Sequence, residues 1–156
     1  MAREANSDPL RRSPVHLLHR AGQCAGEIFY AEMRDGDLTP RQLAVLIMVA
    51  QHEGISQTGL VEDTGIDRAT VGDIVRRMQR KGILQRRRTK EDARTYAVKL
   101  TDEGRRMLRS AEPLAKRVDE RILDALPSKE RERFIDALVS IVDALQELLP
   151  RNSQQS

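Results

Sequence analysis

Residues 56–81 read SQTGLVEDTGIDRATVGDIVRRMQRK, and the fold turns on how they are read. Ser56 has the side chain of a helix N-cap, and the short helix it starts runs to about Asp63, before Thr64-Gly65 breaks it. Asp67 caps a second helix that extends to about Lys81, where Gly82 stops it. Within this second helix Val71, Ile74, Val75 and Met78 fall at helical spacing and predict an inward stripe. The same spacing leaves Arg68, Ala69, Gly72, Asp73, Arg76, Arg77 and Arg80 outside. The stretch is therefore a helix, a tight glycine-containing turn and a second helix whose outer face is rich in arginine.

Upstream, Thr39-Pro40-Arg41-Gln42 combines an N-cap Thr, a Pro at the first helical position and a Gln three residues after the cap. The helix it opens, Leu43 to Ala50, is apolar on most faces and is expected at the centre of the domain. Earlier still, Ser13-Pro14 opens a helix with Val15, Leu18, Ala21, Ala25, Ile28 and Phe29 at helical spacing, reaching about Met33 before Asp35-Gly36-Asp37 ends it. Beyond Gly82 the period changes to two. Ile83 to Arg88 and Thr95 to Leu100 read as strands, the second alternating Tyr96, Val98 and Leu100 on one face, with polar residues 89–94 between them. Together they predict a charged β-hairpin. Thr101 caps the next helix, with Asp102 and Glu103 at its positive end, running past Pro113 with a kink to Leu126. Pro127-Ser128 restarts a last helix whose stripe of Phe134, Leu138, Ile141, Val142, Leu145 and Leu148 has few partners in so small a domain. Residues 1–12 and 150–156 read as flexible tails.

Composition agrees with a helix-rich chain: 39% of residues are hydrophobic, 33% charged and only 3% aromatic, too few aromatics for a sheet protein. At 156 residues there is room for one compact domain or two small joined ones. The single cysteine, Cys24, excludes an intramolecular disulfide framework, and no leader or membrane-spanning run is legible, so the expected location is the cytoplasm. The net charge of +3 is unevenly spread. Residues 67–99 carry eleven Lys+Arg against four Asp+Glu, a surplus of seven, and the remainder has a deficit of four. A localised basic stripe suits a partner made of phosphates, whereas the plainer alternative is a solvated charged face. No Gly-rich phosphate loop, nucleophile elbow or paired-histidine zinc motif is present, so the chain is not expected to be an enzyme and implies no cofactor. His16, His19, Cys24 and His52 lack a completing carboxylate cluster, and no metal site is expected.

The element order resembles the MarR family of bacterial regulators (multiple antibiotic resistance regulators) over roughly residues 13–149. The residues carrying the resemblance are Asp92-Ala-Arg94-Thr-Tyr-Ala-Val-Lys-Leu100-Thr101-Asp-Glu-Gly104, similar to the family's wing signature, with Leu38-Thr-Pro-Arg-Gln-Leu43, Ala69-Thr70-Val71 and Arg76-Arg77-Met78 in support. The resemblance implies a mainly α (α+β) protein: a winged helix-turn-helix over 38–101, with helices of 13–34 and 102–149 forming a dimerisation layer. It implies a two-fold homodimer on a pseudo-palindromic double-stranded DNA operator, with recognition helices in successive major grooves and wings in flanking minor grooves. By position Arg68, Thr70, Asp73, Arg76 and Arg77 are the major-groove candidates, Asp73 either aiming a neighbouring arginine or accepting from a cytosine. Arg86, Arg87 and Arg88 are candidate phosphate contacts. Arg94 matches the wing arginine that inserts at the minor groove, and Asp92 the carboxylate that orients it.

The resemblance further implies a transcriptional repressor released by a small aromatic or phenolic acid, or by its coenzyme A thioester. His16, His19, Arg20, Gln23, Tyr30, Met33 and Met48 are the candidate effector residues, with a dimer interface or plain surface as their alternative role. Cys24 raises a redox-sensing alternative. The oxidant sensors resembled have a tyrosine one turn after the cysteine, where this chain has Ile28, so Cys24 is expected to pack as a small hydrophobe. A non-specific architectural DNA-binding protein is the rival from another class, distinguished by indifference to sequence. Activation rather than repression stays open, because it depends on where the operator lies.

Overall fold

Capping side chains fix where the helices begin in the computed structural model, which describes residues 8–34, 38–89 and 95–150. Helix α1 (Pro14–Met33) starts at Ser13, whose hydroxyl accepts from the His16 N–H. Helix α2 (Pro40–Gln51) starts in a complete capping box: the Gln42 N–H donates to the Thr39 hydroxyl at 3.1 Å and the Thr39 N–H to the Gln42 side chain at 3.0 Å. Ser56 caps α3 (Gln57–Thr64) and Asp67 caps α4 (Arg68–Arg80). Gly65 and Gly82, both at positive φ, close these two helices where a side chain would be strained.

Strands β1 (Leu84–Arg88) and β2 (Tyr96–Leu100) pair antiparallel, with Leu84 opposite Leu100 and Arg88 opposite Tyr96. The α2–α3 corner joins this hairpin. Ile55 bridges Val98, with the Gly54 N–H donating to the Val98 carbonyl at 3.0 Å and the Val98 N–H to the Ile55 carbonyl at 2.9 Å. Helix α5 (Asp102–Leu123) follows at once. Thr101 accepts the Gly104 N–H at 3.0 Å, and its hydroxyl donates back toward the Gly82 and Ile83 carbonyls.

The core lies where these elements meet. Val45, Leu46 and Val49 of α2, Leu60 of α3, Val71 and Val75 of α4, and Val98 of β2 are fully buried, with Met78, Leu84 and Leu100 almost so. Burial of this apolar surface, at about 25 cal/mol per Å², is what holds the outer face of α4 in place. Helix α6 (Ser128–Leu148) differs, because none of its residues is buried. The described residues fall into two compact units, divided between Val118 and Asp119 within α5. In the second unit Arg131 braces the α5–α6 turn through Asp124 at 3.1 Å and the Leu126 carbonyl at 3.1 Å.

Three expectations need correction. Residues 9–12 form a one-turn 3₁₀ helix capped by Asp8 rather than a tail. Gly72 is buried, not outward, because the Arg76 side chain of the same helix folds over it and the Gln57 side chain from α3 lies beside it. Helix α5 ends at Leu123 rather than Leu126, its last turn tightening ahead of Pro127, which disfavours helical backbone in the residue before it. The helix runs unbroken through Pro113.

Candidate nucleic-acid interface

Asp67 organises the start of α4. Its carboxylate accepts the Thr70 hydroxyl at 2.7 Å and the Thr70 N–H at 2.9 Å, and these two donations, the hydroxyl first, hold it below the usual carboxylate range. Arg68, at the first helical position, donates to the Thr58 hydroxyl at 3.2 Å. One and two turns further on, Asp73 stands 2.9 Å from Arg77 Nε and 3.9 Å from Arg76 Nη2. Both arginine side chains remain more than half exposed. The outer face thus presents a fork aimed by a carboxylate, beside a threonine hydroxyl committed to its own cap.

The wing divides its three arginines by the two-residue period of a strand. Arg87 points to solvent. Arg86 and Arg88 share the face of Leu84, Tyr96 and Val98. The Arg86 guanidinium lies 4.9 Å from the centre of the Tyr96 ring, with Nε donating to Gln79 Oε1 and Nη1 to Gln57 Oε1, each at 3.1 Å. Arg88 lies 5.7 Å from the same ring and donates to its hydroxyl at 3.4 Å. An open cleft of about 290 Å³ between the start of α3 and the wing is lined by Ser56, Thr58, Arg68, Arg86 and Tyr96 among others. Asp92 and Arg94 lie outside the described residues. Gln57, Gln79 and Tyr96 were missed by the sequence reading. For Tyr96 the signal was present, since a cross-strand partner of two same-face arginines belongs beneath them.

A cavity of about 350 Å³ is lined by Met33, Leu38, Met107, Ala111 and Leu114, with Ser110 and the Glu103–Arg106 ion pair, 2.6 Å long, at its polar side. Of the seven candidate effector residues only Met33 reaches it. His16 is half-buried on α1, His19, Arg20 and Gln23 are exposed there with Arg20 donating to Gln23 at 3.2 Å, and Tyr30 is exposed with its ring edge-on to Phe29. Met48 is half-buried on α2 away from the cavity wall. Glu103, read only as an acid at the helix start, and Arg106 do not stand out as cavity residues in the sequence, because an acid and a base three apart on a helix read as an ordinary surface pair. Cys24 does not pack as a small hydrophobe. It is exposed on α1 in the single chain. No helix among the described residues is long and apolar enough to cross a membrane.

Residues 38–96, from the approach to α2 into β2, match the profile of the MarR family. Transcriptional regulator HosA of Escherichia coli O111:H- is 34% identical over 135 residues, which span 86% of this chain and 98% of that one. The chain belongs to the MarR family. Among solved structures, the Streptomyces coelicolor transcriptional regulator PcaV, in complex with its natural ligand, is similar at a TM-score of 0.83 and 30% identity, covering 89% of this chain and 98% of that one. The Bordetella bronchiseptica protein BpsR, whose DNA binding is regulated by 6-hydroxynicotinic acid, gives a TM-score of 0.81 at 29% identity, covering 84% and 94%. In this MarR-family regulator the matched segment contains the helix-turn-helix, β1 and the start of β2, and the cavity lies just outside it except for Leu38.

Proposed function

We propose that this protein is a homodimeric repressor that binds a pseudo-palindromic operator and is released from it by a small aromatic acid. The observation that carries the DNA reading is the outer face of α4. Its inward stripe is buried while Arg76 and Arg77 stand exposed, with Asp73 aiming Arg77. An arginine fork held in this way suits bidentate readout of a guanine edge, worth roughly 1–3 kcal/mol of discrimination. Arg68 and Thr70 flank it at the helix start, Arg88 is the candidate for a backbone phosphate, and Arg94 with Asp92 is assigned to the minor groove beside the site.

A second copy is the proposed cover for two apolar faces. Val15, Leu17 and Leu18 on α1 are exposed, as are Val139, Ile141, Val142, Leu145 and Leu148 on α6. A face of this kind exceeds the scattered apolar residues normal on a monomer. A two-fold pair of recognition helices would then meet half-sites about one helical turn apart.

The 350 Å³ cavity is the proposed effector site. Its size, at the low end of the roughly 300–1,000 Å³ typical of small-molecule sites, favours a free acid over a coenzyme A thioester. Its wall is apolar, and Arg106 offers a donor to a carboxylate in competition with Glu103. BpsR, whose DNA binding is regulated by 6-hydroxynicotinic acid, supports this class of effector by relationship, and PcaV, in complex with its natural ligand, supports the presence of an effector.

The test is binding of the purified protein to its own upstream intergenic DNA and to unrelated DNA at near-physiological salt, with and without a panel of aromatic acids and their coenzyme A thioesters. Selective binding abolished by a free acid is the expected result. Equal affinity for both duplexes would replace the repressor with an architectural protein.

A further inference from the structure

We infer that Arg86 is a positioning residue that locks the wing to the recognition helix, and not one of the groups that neutralises backbone phosphate. The inference rests on the DNA-binding reading above.

The guanidinium is engaged on both edges and one face. One edge donates to Gln79 of α4 and another to Gln57 at the start of α3, while the plane lies against Tyr96 of β2. Three elements therefore converge on one side chain in β1. The Gln57 amide nitrogen lies over Gly72, 3.8 Å from where a Cβ would stand. Both acceptors of Arg86 are neutral amides, and among the described residues no carboxylate pairs with it, unlike Arg77, Arg105 and Arg106. A phosphate-seeking arginine extends its fork outward, as the exposed Arg87 is free to do. Arg86 has two of its N–H groups already spent inward, in a planar geometry that the point charge of lysine does not reproduce.

The consequence is mechanical. From Leu84 to Arg88 the hairpin arm is about 14 Å long at roughly 3.4 Å per residue, so a tilt of about 10° moves its tip by about 2 Å. That displacement is enough to withdraw a side chain from a narrow groove. With the brace in place, the β1–β2 arm and α4 meet DNA as one rigid body.

The experiment compares the full-length protein with Arg86→Lys, Arg86→Met, Gln79→Leu and, as a control, Arg87→Met, on a duplex selected by the protein from its own upstream DNA or from a random pool. Expected are losses of about 10-fold or more for both Arg86 variants and for Gln79→Leu, no further loss on combining Arg86→Met with Gln79→Leu, and an unchanged dependence of affinity on salt. Hydroxyl-radical protection should fade at the flanking minor grooves and persist in the central major grooves, a pattern that general destabilisation does not produce. Full affinity in Arg86→Lys, with the salt slope of Arg86→Met reduced by about 0.9, would make Arg86 a phosphate contact and overturn the inference. A readout without DNA separates this failure from failure of the DNA reading. Nitroxides at Arg80→Cys and Arg87→Cys, in a Cys24→Ser background, should give a narrow distance distribution that Arg86→Met broadens. An unchanged width would equally overturn the brace.

Discussion

Replacing Gly104 with alanine should destabilise this protein, although alanine is the better helix former. Gly104 lies in the first turn of α5, and a Cβ there would sit 2.2 Å from the Ile83 carbonyl oxygen and 3.1 Å from Leu100 Cδ2. Carbon and oxygen come no closer than about 3.3 Å even in favourable contacts, so the helix start must retreat by about 1 Å. That retreat stretches the 3.1 Å hydrogen bond from the Thr101 N–H to the same carbonyl. Loss of that bond costs about 0.5–1.5 kcal/mol, and overpacking about 1–3 kcal/mol. Helix propensity returns about 1 kcal/mol. The net is a loss of about 0.5–3.5 kcal/mol, or a fall in Tm of about 1–14 °C for a chain of this size. Thermal unfolding of Gly104→Ala beside the parent, at one protein concentration because a dimer's stability depends on it, measures this directly. A Tm equal to or above the parent's would show that α5 does not seat on Ile83 as described.

Asp67→Asn should alter acid stability in a set direction. The parent carboxyl lies below its ordinary value of 3.8, so its contribution is present above that pH and is lost as pH falls through the lowered value. The gap between the urea midpoints of the two proteins at pH 6 should therefore narrow as the pH falls below 3.8, and a constant gap would refute the cap's role. Asp73→Asn removes the carboxylate that aims Arg77; binding to unrelated DNA should tighten while the ratio of operator to unrelated affinity falls about 10-fold, and an unchanged ratio would detach Asp73 from readout. Val142→Asp places a charge on a side chain already half exposed in the single chain, so the fold should survive while sedimentation reports a monomer; a stable dimer would move the interface elsewhere. Arg106→Gln should leave DNA affinity intact and raise the acid concentration needed for release about 10-fold, whereas unaltered release would exclude Arg106 as the carboxylate's partner.

The elements that were legible are those decided by neighbours in sequence. Ser13, Thr39, Ser56 and Asp67 each cap a helix whose first N–H groups lie three residues away, so the signal and its partner sit in one short window. The stripe of Val71, Ile74, Val75 and Met78 is equally local, and all four are buried. What escaped depends on approach between distant segments. Gln57 and Arg86 are 29 positions apart and meet only because α3 and β1 converge. Gly72 turned out buried in part for the same reason. The cavity wall draws Met33 from the end of α1 and Met107 and Leu114 from the middle of α5, and no periodicity within α1 alone announces that meeting.

The bridge between Ile55 and Val98 ties the wing to the corner before α3. Because both hydrogen bonds of that bridge use the Val98 peptide groups, peeling β2 away also frees the backbone of Gly54 and Ile55. The hairpin base and the α2–α3 corner therefore open together or not at all, as one cooperative unit. In native-state hydrogen exchange the Val98 amide should be released only with the global transition, while amides at the solvent edge of β1 exchange by local fraying. The base of the hairpin therefore stays in register with the rest of the reader.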